Sequence, residues 1–170
     1  MIPKRRPGGQ PCPGSTTNYA ISFGIRGGSV TFPDGMVTVT LSSGAVAKDI
    51  DLAFTPLERW SWGASGMRVV NMFELKAVDV GTGAEVTSFS KDVEIKFQLS
   101  ADYNRKELAG LDINTLDLYH FNTSTNSWQP LGGTASNVSP RTLTATTNHL
   151  SVFGSQAAPI IAGPLRWKSG

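Results

Sequence analysis

Residues 92–99 read DVEIKFQL, and this stretch decides the fold because its apolar and polar side chains alternate without interruption. In an extended strand successive side chains point to opposite faces of the sheet. Val93, Ile95, Phe97 and Leu99 therefore share one face, and the polar residues share the other. The stretch predicts a strand with one buried face and one wet face.

The same period of two recurs on both sides of this stretch. Strand-like runs are residues 36–41 (MVTVTL), 49–54 (DIDLAF), 68–79, 116–118 and 143–145. No segment has a convincing helical period, and only residues 102–109 predict a short helical turn. Turn residues separate the runs at residues 33–35 (PDG), 81–83 (GTG) and 122–126 (NTSTN). Many short strands without helices between them predict an all-β fold, an antiparallel β-sandwich, in preference to a closed barrel.

Two segments outside the strand pattern are expected to be extended arms. Residues 1–17 are rich in proline and glycine and carry Lys4, Arg5 and Arg6, which predicts a basic N-terminal arm. Residues 157–170 (AAPIIAGPLRWKSG) predict an apolar C-terminal arm. The 170 residues have room for one domain with a full core, and the pattern places this β-sandwich domain at residues 18–156.

The C-terminal arm contains large apolar residues that have no domain left to complete. They are Ile160, Ile161, Leu165 and Trp167. Such side chains need an apolar groove to leave water. That groove could belong to the arm's own domain or to a neighbouring subunit, reached by strand addition. Together with the basic residues of the N-terminal arm, these residues are candidates for self-assembly.

The charges are segregated along the chain. Residues 1–33 contain four basic residues, residues 34–117 contain thirteen acidic and eight basic residues, and residues 118–170 contain three basic residues, giving +4, −5 and +3. Opposite charges on one molecule favour encounters between copies. The alternative is that the acidic residues simply occupy the solvent-facing positions of strands.

Composition disfavours several classes of protein. A net charge of +2 is too small to predict nucleic-acid binding, and no apolar run approaches the roughly 18 residues of a membrane span. The opening MIPKRRP is followed by no apolar h-region, so the pattern predicts no secretory signal within this chain. The single Cys12 permits no intrachain disulfide. No cysteine or second histidine lies at zinc-ligand spacing, so neither a metal site nor a cofactor is predicted.

Residues 147–153 (TNHLSVF) carry the most specific local motif. Together with Trp128 and the strand-like residues 141–146, the stretch 118–153 resembles the autoproteolytic region of GAIN/GPS-type domains of adhesion receptors. The motif of that family is His-Leu-Ser/Thr followed by an aromatic residue. Residues 27–57 are similar to the β-rich domain that ankyrins and netrin receptors share and that bacterial surface proteins also carry. The chain departs from the receptor family in lacking the paired cysteines of the motif.

The resemblance implies self-cleavage between Leu150 and Ser151. The Ser151 hydroxyl would attack the Leu150 carbonyl while His149 accepts its proton, and water would then hydrolyse the ester. The alternative interpretation is that His149 caps a loop and Ser151 is an ordinary strand hydroxyl. His120 has the parity of inward-facing neighbours and is expected at the margin of the core rather than in a site.

Trp60 and Trp62 lie in a segment between strands that is flanked by glycine and serine. Their flat faces could stack on sugar rings or anchor an interface. The alternative is that they cover the end of the sandwich core.

Self-assembly accounts for most of these features together. We expect a non-enzymatic structural or adhesive subunit, extracellular or at the cell surface, that forms an oligomer or polymer through arm or strand exchange. The alternatives are an autoproteolytic surface domain cut after Leu150 and a module that binds a surface glycan through Trp60 and Trp62.

Overall fold

The structure is a computed structural model that describes residues 19–33, 35–59, 63–99, 108–136 and 141–160. These residues form eleven strands: β1 (Tyr19–Phe23), β2 (Gly28–Thr31), β3 (Val37–Leu41), β4 (Ile50–Leu57), β5 (Arg68–Asp79), β6 (Ser88–Leu99), β7 (Leu111–Asn122), β8 (Ser127–Pro130), β9 (Thr134–Ser136), β10 (Arg141–His149) and β11 (Val152–Pro159). Among the residues that the structure describes, no helix is long and apolar enough to cross a membrane.

The described strands form two antiparallel sheets that pack face to face. Sheet A has the order β1-β4-β5-β11-β7-β8, and sheet B has the order β2-β3-β6-β10-β9. Each sheet contributes apolar side chains to one shared core. This arrangement confirms the predicted all-β sandwich.

The stretch that predicts the fold lies in β6, at the centre of sheet B between β3 and β10. Val93, Ile95 and Phe97 are fully buried, while the polar residues between them are exposed. Burying each of these side chains contributes about 1.5–3 kcal/mol. The alternation therefore directs one face of β6 into the core.

Aromatic rings connect the core across the strands of sheet A. Phe32 stacks on Phe54 with centroids 4.6 Å apart, and Phe73 lies 5.6 Å from both Phe54 and Phe153. Phe54, Phe73 and Phe153 belong to the neighbouring strands β4, β5 and β11, so their ring contacts link these three strands. These ring contacts hold β11, and the segment immediately before it, against the core.

Strand β11 continues beyond the predicted end of the domain. Residues 157–159, which the sequence pattern assigned to the C-terminal arm, pair with Arg68 on one side and with Asp112 and Leu111 on the other. Ala157 is fully buried. Because β11 is a central strand of sheet A, its last residues have neighbours on both sides and belong to the sandwich. The predicted boundary is therefore corrected from residue 156 to Pro159.

A second, smaller apolar cluster lies on the outer face of sheet A. It contains the buried residues Met72, Phe121 and Trp128. The indole of Trp128 lies over Gly154 of β11, where an added Cβ would come within 3.1 Å of its Cη2 atom. The absence of a side chain at Gly154 therefore lets the indole pack on the sheet.

Candidate functional site

The predicted His-Leu-Ser motif lies where the chain crosses from one sheet to the other. His149 ends β10 in sheet B, and Val152 begins β11 in sheet A, so Leu150 and Ser151 form the crossover. Leu150 packs against the main core, and the carbonyl of Ser151 accepts a hydrogen bond from the amide of Leu75 at 3.1 Å. Both sheets therefore hold the backbone of the motif in place.

The hydroxyl of Ser151 is bonded to the backbone and not to a histidine. Its Oγ donates to the carbonyl oxygen of Phe121 at 2.7 Å. A serine acts as a nucleophile when a nearby base takes its proton. In this arrangement the proton points toward β7, and the contact between base and nucleophile that the resemblance implies is not formed.

His149 instead meets His120, which lies 29 positions earlier on β7. His149 Nε2 and His120 Nδ1 are 3.1 Å apart, and the two rings meet edge to face with centroids separated by 4.7 Å. His120 is only 8% exposed, whereas His149 is half-buried. The alternating pattern of β7 correctly predicted that His120 faces inward. Its partner, His149, could be identified only from the tertiary structure.

Hydrogen bonds around His149 determine which ring nitrogen carries a proton. The Thr147 hydroxyl donates to the carbonyl oxygen of His149 at 3.0 Å, so toward the ring the Thr147 oxygen acts as an acceptor. His149 Nδ1 lies 3.3 Å from that oxygen and 3.2 Å from Asn148 Oδ1. Two acceptors facing Nδ1 place its proton there. In the neutral ring, Nε2 then presents a lone pair to His120.

Burial determines the protonation state of the His120 imidazole. Desolvation lowers the pKa of His120 below its ordinary value, and the adjacent His149 lowers it further, while a side-chain hydrogen bond with Gln129 opposes the shift. A buried imidazolium next to another imidazole is disfavoured because the charge has left water. His120 is therefore neutral at physiological pH.

A small cavity opens at one end of the sandwich, where Ile50 pairs with both Phe23 and Asp79. We call this end the cavity end. The cavity has a volume of about 190 Å³, and its lining is mostly apolar. Lys48 and Asp79 form an ion pair at 3.4 Å beside it. The lining residues are Ala45, Val46, Ala47, Lys48, Ile50, Asp79, Val86, Ser88 and Ser90.

Large apolar side chains are exposed near the same end. Ile25 is 55% exposed in the turn after β1, and Val80 is 54% exposed in the turn after β5. The backbone of these turns is held by hydrogen bonds from Gly44 to the carbonyl of Ile25 and from Val80 to the carbonyl of Asp49. The cavity end thus combines a mostly apolar cavity with exposed apolar side chains in the neighbouring turns, a feature that sequence periodicity does not reveal.

The chain leaves the described sandwich at the opposite end, which we call the exit end. Strand β11 ends there, next to the first residues of β5 and β7. Ile160 follows with 61% of its surface exposed, while its amide donates to the carbonyl of Gly110 at 2.8 Å. The structure therefore places the first apolar residue of the predicted assembly segment at the surface.

The remaining predicted site residues lie outside the residues that the structure describes. They are Lys4, Arg5, Arg6, Trp60, Trp62, Ile161, Leu165 and Trp167. Their assignments to self-assembly and to glycan binding stay predictions.

No protein-family model matches the chain, and no curated protein matches it. The resemblance to GAIN/GPS-type domains and to the related β-rich domains therefore stays a prediction, and the proposals below depend on the geometry of the chain itself.

Proposed function

We propose that this protein is a non-enzymatic structural subunit, extracellular or at the cell surface, that assembles head to tail through its C-terminal segment. The observation that carries the proposal is the placement of apolar surface at the two ends of the sandwich. Ile160 starts the apolar segment at the exit end, and the cavity with Ile25 and Val80 lies at the other end. When one surface of a subunit binds a different surface of the next subunit, the contact repeats from copy to copy. It builds a filament unless the rotation between neighbouring copies closes a ring.

The length of the sandwich favours a contact between copies over a contact within one copy. Strand β5 has 12 residues and runs from near the exit end to the cavity end. At about 3.3 Å per residue it spans roughly 36 Å. The seven residues 161–167 reach at most about 25 Å when fully extended. Trp167 therefore falls short of the cavity end of its own copy, whereas a second copy can bring its cavity to the segment.

The cavity is large enough for one side chain of this segment. An apolar cavity of about 150 Å³ holds a benzene molecule, and the cavity here has about 190 Å³. Leu165 and Trp167 are the candidates to enter it. Burying one such side chain contributes about 1.5–3 kcal/mol, so Ile25 and Val80 must add contact area and the extended segment must add backbone hydrogen bonds.

Charge also favours contacts between copies. Lys4, Arg5, Arg6, Arg166 and Lys168 give the two terminal segments +5, while the other thirteen acidic and ten basic residues give −3. Opposite charges accelerate the encounter of copies and are screened by salt. We therefore expect assembly to slow as ionic strength rises.

Two variants that each remove one half of the contact provide a sharp test. Deleting residues 161–170 removes the donor segment, and Val80→Asp places a charge beside the acceptor. Each variant alone should be monomeric, while the unmodified chain forms oligomers in light scattering coupled to size exclusion. An equimolar mixture of the two variants should form dimers and nothing larger, because only one intact donor meets one intact acceptor.

A matched control is Thr146→Asp, which adds the same charge at an exposed position of β10 and should leave assembly unchanged. The proposal fails if the unmodified chain stays monomeric at high protein concentration. It also fails if the deletion variant assembles normally, or if the mixture of variants gives only monomers.

A further inference from the structure

The outer strands of the two described sheets differ in how well they resist the addition of another strand. Strand β8 ends at Pro130, β9 has three residues, and β2 has four residues that begin with Gly28. Proline and short length keep an edge strand from pairing with another chain, and glycine weakens a strand. Strand β1 reads YAISF and has five residues without proline, glycine or charge. Among the described strands, β1 therefore offers the least protected edge.

Hydrogen bonding in β4 shows which backbone groups of β1 are available to a partner. The amide of Val80 donates to the carbonyl of Asp49 at 3.0 Å, and this pair continues the register of β4 with β5. Because antiparallel bonding alternates, odd-numbered residues of β4 bond to β5 and even-numbered residues bond to β1. Pro56, which has no N–H, is even-numbered and withholds no donor from β5. Since the even-numbered residues of β4 pair with odd-numbered residues of β1, the backbone groups of Ala20 and Ser22 point away from β4.

We propose that the C-terminal segment of a second copy binds as an antiparallel strand along this outer edge of β1. The inference rests on the head-to-tail assembly proposed above and names the surface that supplies its backbone hydrogen bonds. Strand β1 runs toward the cavity end, where Phe23 pairs with Ile50 of the cavity lining. A segment that leaves the exit end of one copy and arrives at the cavity end of the next therefore runs opposite to β1.

The side-chain pattern of the segment matches that of β1. The odd-numbered residues of β1 are apolar and pack on the core, while its even-numbered residues are exposed. In the segment, apolar and basic residues alternate over residues 165–168. Opposed residues of an antiparallel pair share one face of the sheet. The resulting pairs are Leu165 with Phe23, Arg166 with Ser22, Trp167 with Ile21 and Lys168 with Ala20. This register places Leu165 next to the cavity and gives the outward backbone groups of β1 their partners.

Two neighbouring groups favour this register. Pro164 falls opposite Gly24, whose carbonyl already accepts a hydrogen bond within the turn after β1. Because proline has no N–H, no donor is left without an acceptor there. Arg166 falls in the row of Ser22 and Asp51, where Ser22 Oγ donates to Asp51 Oδ1 at 2.5 Å. The long arginine side chain extends across Ser22 to this carboxylate and forms a charge-assisted hydrogen bond.

Hydrogen exchange reports the proposed pairing directly. In the assembled unmodified chain, the amides of Ala20 and Ser22 should exchange at least about tenfold more slowly than in the Val80→Asp variant, which the assembly proposal expects to be monomeric. The amide of Thr31 is the internal control. By the same alternation it points to the outer edge of β2, because the amide of Phe32 donates to β3. Its exchange should not change on assembly.

Proline substitution tests the same edge in the full-length chain. Ala20→Pro removes one outward N–H and places a ring in the path of the added strand, without removing a bond to β4. Half-maximal assembly in light scattering should then require at least about tenfold more protein. The matched variant Thr31→Pro makes the same change on β2 and should assemble as the unmodified chain does. Circular dichroism checks that both variants fold.

The proposal is overturned if the amides of Ala20 and Ser22 exchange equally in both proteins, as they would if residues 1–17 of the same chain covered the edge. It is also overturned if Ala20→Pro assembles normally, or if only Thr31→Pro prevents assembly, since β2 would then be the acceptor. In these cases the unmodified chain still assembles, so head-to-tail assembly survives. An unmodified chain that stays monomeric overturns both proposals.

Discussion

The fully buried side chain of Gln156 accepts a hydrogen bond from the backbone amide of Ala64 at 2.7 Å, across 92 positions of sequence. Gln156 lies on β11, and Ala64 lies in the connection between β4 and β5. This bond ties that connection to sheet A beside the outer apolar cluster. The connection that carries Trp60 and Trp62 is thus anchored on the C-terminal side of both tryptophans.

The first prediction concerns this bond. Gln156→Met removes the acceptor, so the amide of Ala64 should exchange its hydrogen at least about tenfold faster, the factor that corresponds to roughly 1.4 kcal/mol of lost protection. Global stability should change by less than about 1 kcal/mol, because the variant also removes the Nε2 group, which is buried without a partner among the described residues. Gln98→Met, at an exposed position of β6, is the control. Unchanged exchange at Ala64 would contradict the prediction.

The second prediction compares two glycines with the same backbone conformation. Gly27 and Gly83 have φ of 70° and 69°, a region that side chains rarely adopt. An added Cβ meets nothing within 4 Å at Gly83 but meets the backbone of Leu41 and Ser42 at Gly27. Gly83→Ala should therefore cost about 1–2 kcal/mol from strain alone. Gly27→Ala should cost at least about twice as much in chemical denaturation, and equal costs would refute the steric explanation.

The third prediction is a pH dependence that originates at Asp79. Hydrogen bonds lower the pKa of Asp79 below its ordinary value of 3.8, mainly from the amide of Thr82, with contributions from Lys48 and Gly81. A lowered pKa in the folded state contributes stability above the ordinary value, and this contribution is lost as pH falls through the folded value. Asp79→Asn should therefore flatten the acid side of the stability profile between about pH 5 and pH 2. Asp92→Asn, at an exposed position of β6, is the matched control. A profile of Asp79→Asn that parallels the unmodified protein would count against this assignment.

The fourth prediction concerns the His-Leu-Ser motif. Because the Ser151 hydroxyl donates to Phe121 and His149 contacts His120, the chain should keep its full-length mass after prolonged incubation. Ser151→Ala should leave the mass pattern unchanged and lower stability by about 1 kcal/mol through loss of one hydrogen bond. Ser90→Ala, at an exposed position of β6, should have a smaller effect. Appearance of a 150-residue fragment that Ser151→Ala abolishes would establish self-cleavage instead.

Several strands and their buried faces could be predicted from local pattern. The alternation in residues 92–99 places Val93, Ile95 and Phe97 on one face whatever their partners are, because side-chain direction in a strand depends only on position parity. The turn at residues 122–126 was likewise predicted from its polar residues, and Asn122 Oδ1 does accept from the amides of Ser124 and Thr125. Residues 86–87 do not belong to β6, which begins only at Ser88. The amide of Val86 instead bonds to the carbonyl of Ala77 in the turn after β5.

The amino-acid sequence by itself determined that the alternating runs such as residues 36–41, 49–54 and 92–99 form strands, which faces these runs bury and that the fold is all-β, since these depend on neighbours one or two positions apart. The tertiary structure alone decided that His120 meets His149, that Gln156 holds Ala64, and that the cavity lies far from Ile160. These relationships depend on strand order and register. Register is set by the summed burial of whole sheets and not by any short stretch of chain.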